Sequence, residues 1–429
     1  MKNQINIGIL GCGVVGSGTV RVLTENAEMI ARKVGVPLVI KRIAVRHLDK
    51  KRDIDINPAL LTDDPNTVID DPDIDIVCEL IGGVQPAHAY VMQALRNGKN
   101  IVTANKEMMA KAGNDLLKEA ELRKLDFSFE GSVGGGIPII QPLKQALAGN
   151  KFQEIVGIVN GTTNYILTKM AREGADFADV LAEAQARGYA ETDPTNDIEG
   201  YDAQYKTAIL SSIAFTSRID VADIYVEGIT KIEKRDMEVA QSLGYVIKIV
   251  GIGEAIGDAL QVRVHPVLLP MTHPLASVND VYNAVYLKGD AVGDVMFYGR
   301  GAGSLPTGSA VVGDIIETAR NIQLGATGRI GCTCFDKKPI LPIDQLVTKY
   351  YVRLIAHDRP KVLASLASVF GDFDVSIESV VQRALPDGDA EIVWITHRCL
   401  EANLRSALDV MGRLAIVTGI QNSIRVEDI

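Results

Sequence analysis

A glycine-rich turn between a β-branched run and a helical run constrains this chain most. Residues 5–10 (INIGIL) alternate as a strand does. Gly11, Cys12, Gly13, Val14, Val15 and Gly16 follow at once, and residues 14–31 then carry apolar side chains at helical spacing. In the order strand, G-x-G-x-x-G, helix, the glycines permit a tight turn and close approach to a pyrophosphate. The helix start adds free N–H groups and the positive end of a dipole. The pattern predicts a dinucleotide cradle on a parallel sheet; a merely tight strand-to-helix turn is the alternative.

A second strand is expected over 38–45. It ends in Arg46 and His47, with Lys50, Lys51 and Arg52 close behind. Domains that take NAD usually place Asp or Glu at this strand end, to hold the ribose 2′-OH. Arg46 and its basic neighbours suit a 2′-phosphate instead and favour NADP; Asp49 keeps NAD open, and a solvated charged loop is the bland reading. Further strands are expected over 74–80 and 100–103. The latter delivers Ala104, Asn105 and Lys106 at its carboxyl end, where doubly wound sheets bind ligands. Lys106 is therefore a site candidate, with a surface lysine as the rival. After a strand over 127–130, Glu130 precedes three glycines, Gly134 to Gly136. Carbonyls exposed there, with Glu130, could hold a hard cation, or the segment is a flexible crossover. A helix is expected to follow Pro138 and run to about residue 147.

Residues 191–208 (ETDPTNDIEGYDAQYKTA) gather carboxylates and a single lysine on a loop that enters a helix. Asp202 and Lys206 stand at i and i+4, on one helical face. On an exposed helix such a pair contributes only a few tenths of a kcal/mol. This helix continues over 207–215 almost wholly apolar and therefore buried, where charges need partners or a task. Glu191 arrives from the loop. A lysine among carboxylates can hold an amino-acid substrate and move a proton. Just before, Gly188 closes an amphipathic helix over 179–187. Alternation between 221 and 297 suggests a mixed or antiparallel sheet. A second glycine-rich turn, 299–307, opens a helix over 307–320 that is expected to return to the nucleotide domain.

At 429 residues the chain should form two or three domains. A net charge of -10 disfavours nucleic acid or an anionic membrane as partner. No run approaches the ~20 apolar residues of a membrane span. Cys12, Cys78, Cys332, Cys334 and Cys399 show no C-x-x-C or zinc spacing, and an odd count suits a reducing, cytoplasmic setting. From about residue 349 the order strand, helix, strand, strand, helix and a short final strand over 423–427 predicts a ferredoxin-like unit, which binds a ligand or merely dimerises.

Taken together, the motifs resemble homoserine dehydrogenase over essentially the whole chain. They are GILGCGVVGSG, TANKE around Lys106, EGSVGGGIP from Glu130, NGTTNYIL from Asn160, GYAETDPTNDIEGYDAQYKTAIL from Gly188 and YGRGAGSLPTGSAVVGD from Tyr298. The tail resembles an ACT domain through HDRPKVLASLASVF and DVSIES. The fold class expected is α/β. A Rossmann-type domain covers 1–135 and is completed by 305–340. An α+β substrate and dimerisation domain with a mixed sheet covers 136–304, and a ferredoxin-like ACT domain covers 349–429.

The resemblance implies reversible NAD(P)-linked interconversion of L-homoserine and L-aspartate 4-semialdehyde, on the route to threonine and methionine. By position, Lys206 matches the proton donor and acceptor, and Lys106 a second lysine where cofactor and substrate meet. Glu191 and Asp202 match the carboxylates that hold the substrate's amino-acid group. Gly188 and Gly303 match backbone positions near the nicotinamide. Glu130, Val133, Gly135 and Ile137 match a structural sodium site built mainly of carbonyls. A homodimer or homotetramer and L-threonine feedback are implied too. Lys361, however, stands where amino-acid-binding ACT domains commonly carry a small residue after D-x-P, and its side chain would crowd a ligand there. The rival readings are another NAD(P)-dependent amino-acid dehydrogenase and a non-catalytic sensor of dinucleotide and amino acid.

Overall fold

In a computed structural model the described residues are 2–427. They form two compact units: residues 2–159 with Tyr205–Val221 and Tyr282–Lys338, and Asn160–Gln204 with Ala222–Val281 and residues 339–427. Among the described residues no helix is long and apolar enough to cross a membrane.

The first unit is built on six parallel strands. Their order across the sheet is Leu61–Thr62, Leu38–Ala44, Ile5–Leu10, Ile76–Glu79, Asn100–Thr103 and Phe127–Ser128. This is the doubly wound order, whose switch point lies at the carboxyl ends of Ile5–Leu10 and Ile76–Glu79. Ile5, Ile7 and Ile9 are fully buried, and the late helix Ser304–Leu324 packs Val311 and Ile315 into the same core. That helix meets Val14–Glu25 backbone to backbone. A Cβ at Gly18 would lie 1.9 Å from the Ser304 carbonyl oxygen, and one at Gly308 would lie 2.6 Å from the Gly18 carbonyl carbon. Strands Phe152–Ile158, Tyr282–Gly289 and Gly293–Arg300 add antiparallel pairs.

The second unit pairs Tyr245–Ile256 with Ala259–Pro270 as a long antiparallel hairpin. Its tail has the expected six elements, with strand order Val417–Val426, Val347–His357, Asp389–Thr396 and Ile377–Ala384. Helices Val362–Asp372 and Glu401–Met411 cover a core that includes Trp394, Phe370 and Tyr350. The last tail strand also pairs in parallel with Ala259–Pro270, through Val267–Arg425 and Leu268–Val426. Buried polar contacts reinforce this join. Arg353 Nε donates to Asp236 Oδ1 at 2.7 Å, Asn422 Nδ2 donates to Asp236 Oδ2 at 2.8 Å, and Arg425 Nη1 donates to Glu227 Oε2 at 3.0 Å.

Local boundaries depart from the sequence reading, most plainly as follows. The single helix expected over 14–31 is two, Val14–Glu25 and Ala27–Val34, separated by non-helical Asn26. The helix expected to run to about 147 ends at Lys144. The short final strand expected over 423–427 is the ten-residue Val417–Val426. Gly419 and Asn422 break its apolar alternation, and two register shifts in its pairing with Val347–His357 absorb the irregularity.

Candidate active site

The cradle after Ile5–Leu10 assigns each glycine a separate duty. Gly11 turns with φ of 97°, and a Cβ there would lie 2.6 Å from the Leu80 carbonyl oxygen. A Cβ at Gly16 would meet the Gly11 carbonyl oxygen at 2.4 Å, so Gly16 lets the helix close on the turn. Gly13 is different: nothing lies within 4 Å of a Cβ built on it, and it sits at the N-cap of Val14–Glu25. Two glycines are thus required by the protein's own packing, and the third leaves open space at a helix start, as a pyrophosphate requires. The residues present fit a dinucleotide. Cys12 is half-buried, with burial pushing its thiol up; Val14 and Val15 begin the helix, and Val14 is exposed.

Arg46 is exposed just beyond the second strand. The basic cluster behind it is smaller than the sequence suggests. Arg52 donates to the backbone carbonyls of His47, Leu48 and Lys50, so it shapes the loop from within.

Lys106 opens helix Lys106–Arg123, directly after Asn105, whose side chain caps it by accepting from Met108 N. A helix start repels a cation, so a lysine at this position runs against local preference. Behind it stands a residue that sequence reasoning missed. Glu79 is fully buried at the end of Ile76–Glu79; it accepts from Thr103 Oγ1 at 2.6 Å, Ile81 N at 2.8 Å and Gly82 N at 3.3 Å. Thr103 Oγ1 accepts from Asn105 N, and Asn105 Nδ2 donates to Gly83 O. This network ties two strand ends and the Ile81–Gly83 turn to the residue before Lys106. A lone glutamate closing an apolar strand was the available signal.

Helix Tyr201–Ala214 holds both Asp202 and Lys206, each buried. Lys206 Nζ donates to Val159 O at 2.7 Å. Asn160, the next residue, donates from Nδ2 to Asp202 Oδ2 at 2.8 Å and to Asp197 Oδ1 at 2.7 Å. Its own Oδ1 accepts from Thr163 N and caps Gly161–Glu173. The start of NGTTNYIL is thus a bracket for the charged helix as well as a turn. Glu191 stands apart from these bonds: its side chain is exposed, and its backbone oxygen accepts from Gln185 Nε2 at 3.1 Å. Gly188 is exposed with φ of 73°, in the glycine-favoured region after helix Phe177–Ala186.

Glu130 is buried, and its carboxylate accepts from Ile139 N, Ile140 N and Gln141 N at 2.6, 2.7 and 2.7 Å. Its own N–H donates to Asp314, whose carboxyl is pushed up to about 8 by burial and then by the Glu130 charge. The glycines after it allow close packing: a Cβ at Gly135, φ 52°, would meet the Gly301 carbonyl oxygen at 2.5 Å. Val133 and Ile137 are buried around them. Among the described residues no group of three or more His, Cys, Asp or Glu side chains could hold a metal ion. Gly303, φ 127°, forms the exposed N-cap of Ser304–Leu324.

A phosphate cradle on a doubly wound sheet, with a helix that buries Asp202 and Lys206 and a ferredoxin-like tail, defines a nicotinamide-dependent oxidoreductase with a regulatory-type appendage. Comparison with known proteins narrows this. Residues 138–316 match the family model for homoserine dehydrogenase, 11–130 that for the homoserine dehydrogenase NAD-binding domain, and 350–415 that for the ACT domain. The chain is similar to the homoserine dehydrogenase of Synechocystis sp., 45% identical over 98% of this chain and 99% of that protein. It is also similar to the crystal structure of a homoserine dehydrogenase from Thiobacillus denitrificans, with a TM-score of 0.93 and 44% identity over 99% and 98% of the chains. A hyperthermophilic archaeal homoserine dehydrogenase in complex with NADPH matches at a TM-score of 0.62 and 27% identity, over 73% of this chain and 97% of that one. The chain belongs to the homoserine dehydrogenase family and is an NAD(P)-dependent oxidoreductase.

Proposed function

We propose that the chain interconverts L-aspartate 4-semialdehyde and L-homoserine with Lys206 as the proton carrier. The observation that carries this reading is a buried lysine held by the Val159 carbonyl, one helical turn from a buried aspartate. Bound nicotinamide cofactor supplies or accepts the hydride. Lys206 gives a proton to the aldehyde oxygen in reduction and takes it from the hydroxyl in oxidation. Asp202, oriented by Asn160, and Glu191 hold the substrate ammonium group. Lys106, fixed by the Asn105 cap, holds the substrate where it meets the cofactor, with Gly188 and Gly303 providing backbone close to the nicotinamide. The phosphate contacts belong to a domain spanning 1–135 and 305–340, and Gly188, Gly303 and most of the substrate contacts to 136–304.

NADP is the preferred cofactor on this reading, because exposed Arg46 meets a 2′-phosphate; the archaeal relative's complex with NADPH agrees. A structural sodium ion held by the carbonyls of Glu130, Val133, Gly135 and Ile137 is part of the reading, since the Glu130 carboxylate already accepts three backbone N–H bonds. The tail, 349–429, takes L-threonine as effector. Lys361, with φ of 76°, keeps the backbone conformation that a glycine would adopt there. The protein works in the cytoplasm as a homodimer or homotetramer, in the supply of threonine and methionine. The test is oxidation of NADPH by L-aspartate 4-semialdehyde, repeated with NADH and with added L-threonine. Turnover favouring NADPH and slowed by threonine supports the reading; folded protein with no turnover in either direction overturns it.

A further inference from the structure

Beyond helix Ser304–Leu324, residues 331–338 run back along the end of helix Tyr201–Ala214 and are stitched to it. Cys334 Sγ donates to Ser212 O at 3.4 Å, and Asp336 N donates to Thr216 O at 3.0 Å. Arg218 N donates to Asp336 O at 2.9 Å, and Lys338 N donates to Ser217 Oγ at 2.9 Å. Within this stretch the Cys334 N–H donates to Cys332 Sγ at 3.4 Å, so the C-x-C segment curls back on itself.

Both cysteines line a cavity of about 250 Å³ that no part of the proposed reaction uses. One wall is helix Lys106–Arg123, through Met109 and Gly113; another is helix Tyr201–Ala214, through Ile209 and Ile213. The cavity therefore touches the two helices that carry Lys106 and Lys206. Lys111, also on its lining, places Nζ 4.8 Å from the centre of the Tyr205 ring, next to Lys206 in sequence. The other three cysteines differ: Cys78 and Cys399 are buried, and Cys12 lies in the cradle.

We propose that Cys332 and Cys334 are a thiol–disulfide exchange site, which low-molecular-weight disulfides oxidise reversibly to an intrachain disulfide, slowing turnover. The Cys332 thiolate attacks a small disulfide, forming a mixed disulfide and releasing one thiolate. Cys334, losing its proton, then attacks the Cys332 sulfur, closes the intrachain bond and releases the second thiol. The two cysteine sulfurs are oxidised and the small disulfide is reduced. Cys332 is the attacking group: the Cys334 side chain, and after it the Cys334 N–H, hold its thiol below the ordinary range, with the Lys144 and Arg218 charges assisting against burial. A bond of ~2 Å between the sulfurs draws Cys334 off the Ser212 carbonyl and pulls on the stitched end of the Lys206 helix. A link across one intervening residue is strained, which makes it readily reducible.

The test treats the full-length protein with 2-hydroxyethyl disulfide, maps it by peptide mass and assays it before and after dithiothreitol. The expected result is loss of two hydrogens from the 332–334 peptide, with activity down about fivefold or more, the low end of ordinary coupling between sites, and restored on reduction. C334S should keep basal activity and trap the probe on Cys332, and C332S should keep basal activity and resist the probe. Absence of the intrachain link, a link without change in activity, or equal inactivation of C332S overturns the proposal. The peptide map of the unaltered protein decides the first point even where a variant folds poorly.

Discussion

Lys206 donates from Nζ to the carbonyl oxygen of Val159 at 2.7 Å. A backbone carbonyl takes one of the amine's hydrogens and so fixes the direction of Nζ. The residue after Val159 performs the matching task for Asp202, through the Asn160 amide. Replacing Asn160 by Ala should therefore release Asp202 and uncap Gly161–Glu173. The Michaelis constant for L-aspartate 4-semialdehyde should rise about tenfold or more, the scale of one charge-assisted hydrogen bond, with a smaller change in kcat. Steady-state kinetics with and without the substitution check this; an unchanged Michaelis constant would mean that Asp202 is held by other groups.

The cradle glycines should separate folding from cofactor binding. Gly13→Ala adds a methyl to open space, so the protein should melt normally while its affinity for NADPH falls about tenfold or more, a cost of ~1.4 kcal/mol or above. Gly16→Ala drives a methyl against the Gly11 carbonyl oxygen, so the melting temperature should drop as well. Calorimetry beside a fluorescence titration distinguishes the two.

Asp314 should make stability decline with rising pH. Its carboxyl, ordinarily near 3.8, is pushed up to about 8 by burial and the Glu130 charge. Between those values the folded chain holds a proton that the unfolded chain has released, so stability falls as pH rises through the window and levels off above it. Asp314→Asn cannot titrate. Relative to that variant, the native protein should lose stability from about pH 4 to about pH 8, as read by urea midpoints across pH. Parallel pH profiles would show that Asp314 is ionised throughout.

The tail should unfold with the body of its unit. Asp236 is fully buried and accepts from Arg353, Tyr351 and Asn422. Asp236→Ala leaves the Arg353 guanidinium buried without that partner and should cost about 3–5 kcal/mol. Trp394, the single tryptophan, lies in the tail core and reports the transition by fluorescence. An unshifted Trp394 transition would mean that the tail stands independently.

Much of this was legible in the residues. Strand, glycine turn and helix declare themselves by local period and backbone freedom, and the six-element tail follows from alternation alone. Asp202 and Lys206 stood out because an apolar helix does not carry charges idly. What stayed hidden depends on which partners a side chain or strand takes, and residue pattern alone does not show that. Glu79 was unremarked because its three donors come from another strand and a following turn. The Val417–Val426 strand looked short because its pairing partner Val347–His357 imposes a strand on a stretch containing Gly419 and Asn422. Arg52 was grouped with the cofactor-facing cations because nothing in the sequence shows which carbonyls a guanidinium will take.

Lys206 as proton carrier is tested most directly by a paired measurement on Lys206→Ala and Lys206→Arg: NADPH binding by fluorescence, then its oxidation on adding L-aspartate 4-semialdehyde. Both variants should bind NADPH as the native protein does and lose about a thousandfold in turnover, arginine included, because a guanidinium does not release its proton. Near-native turnover by either variant, in protein that binds NADPH, would contradict the account.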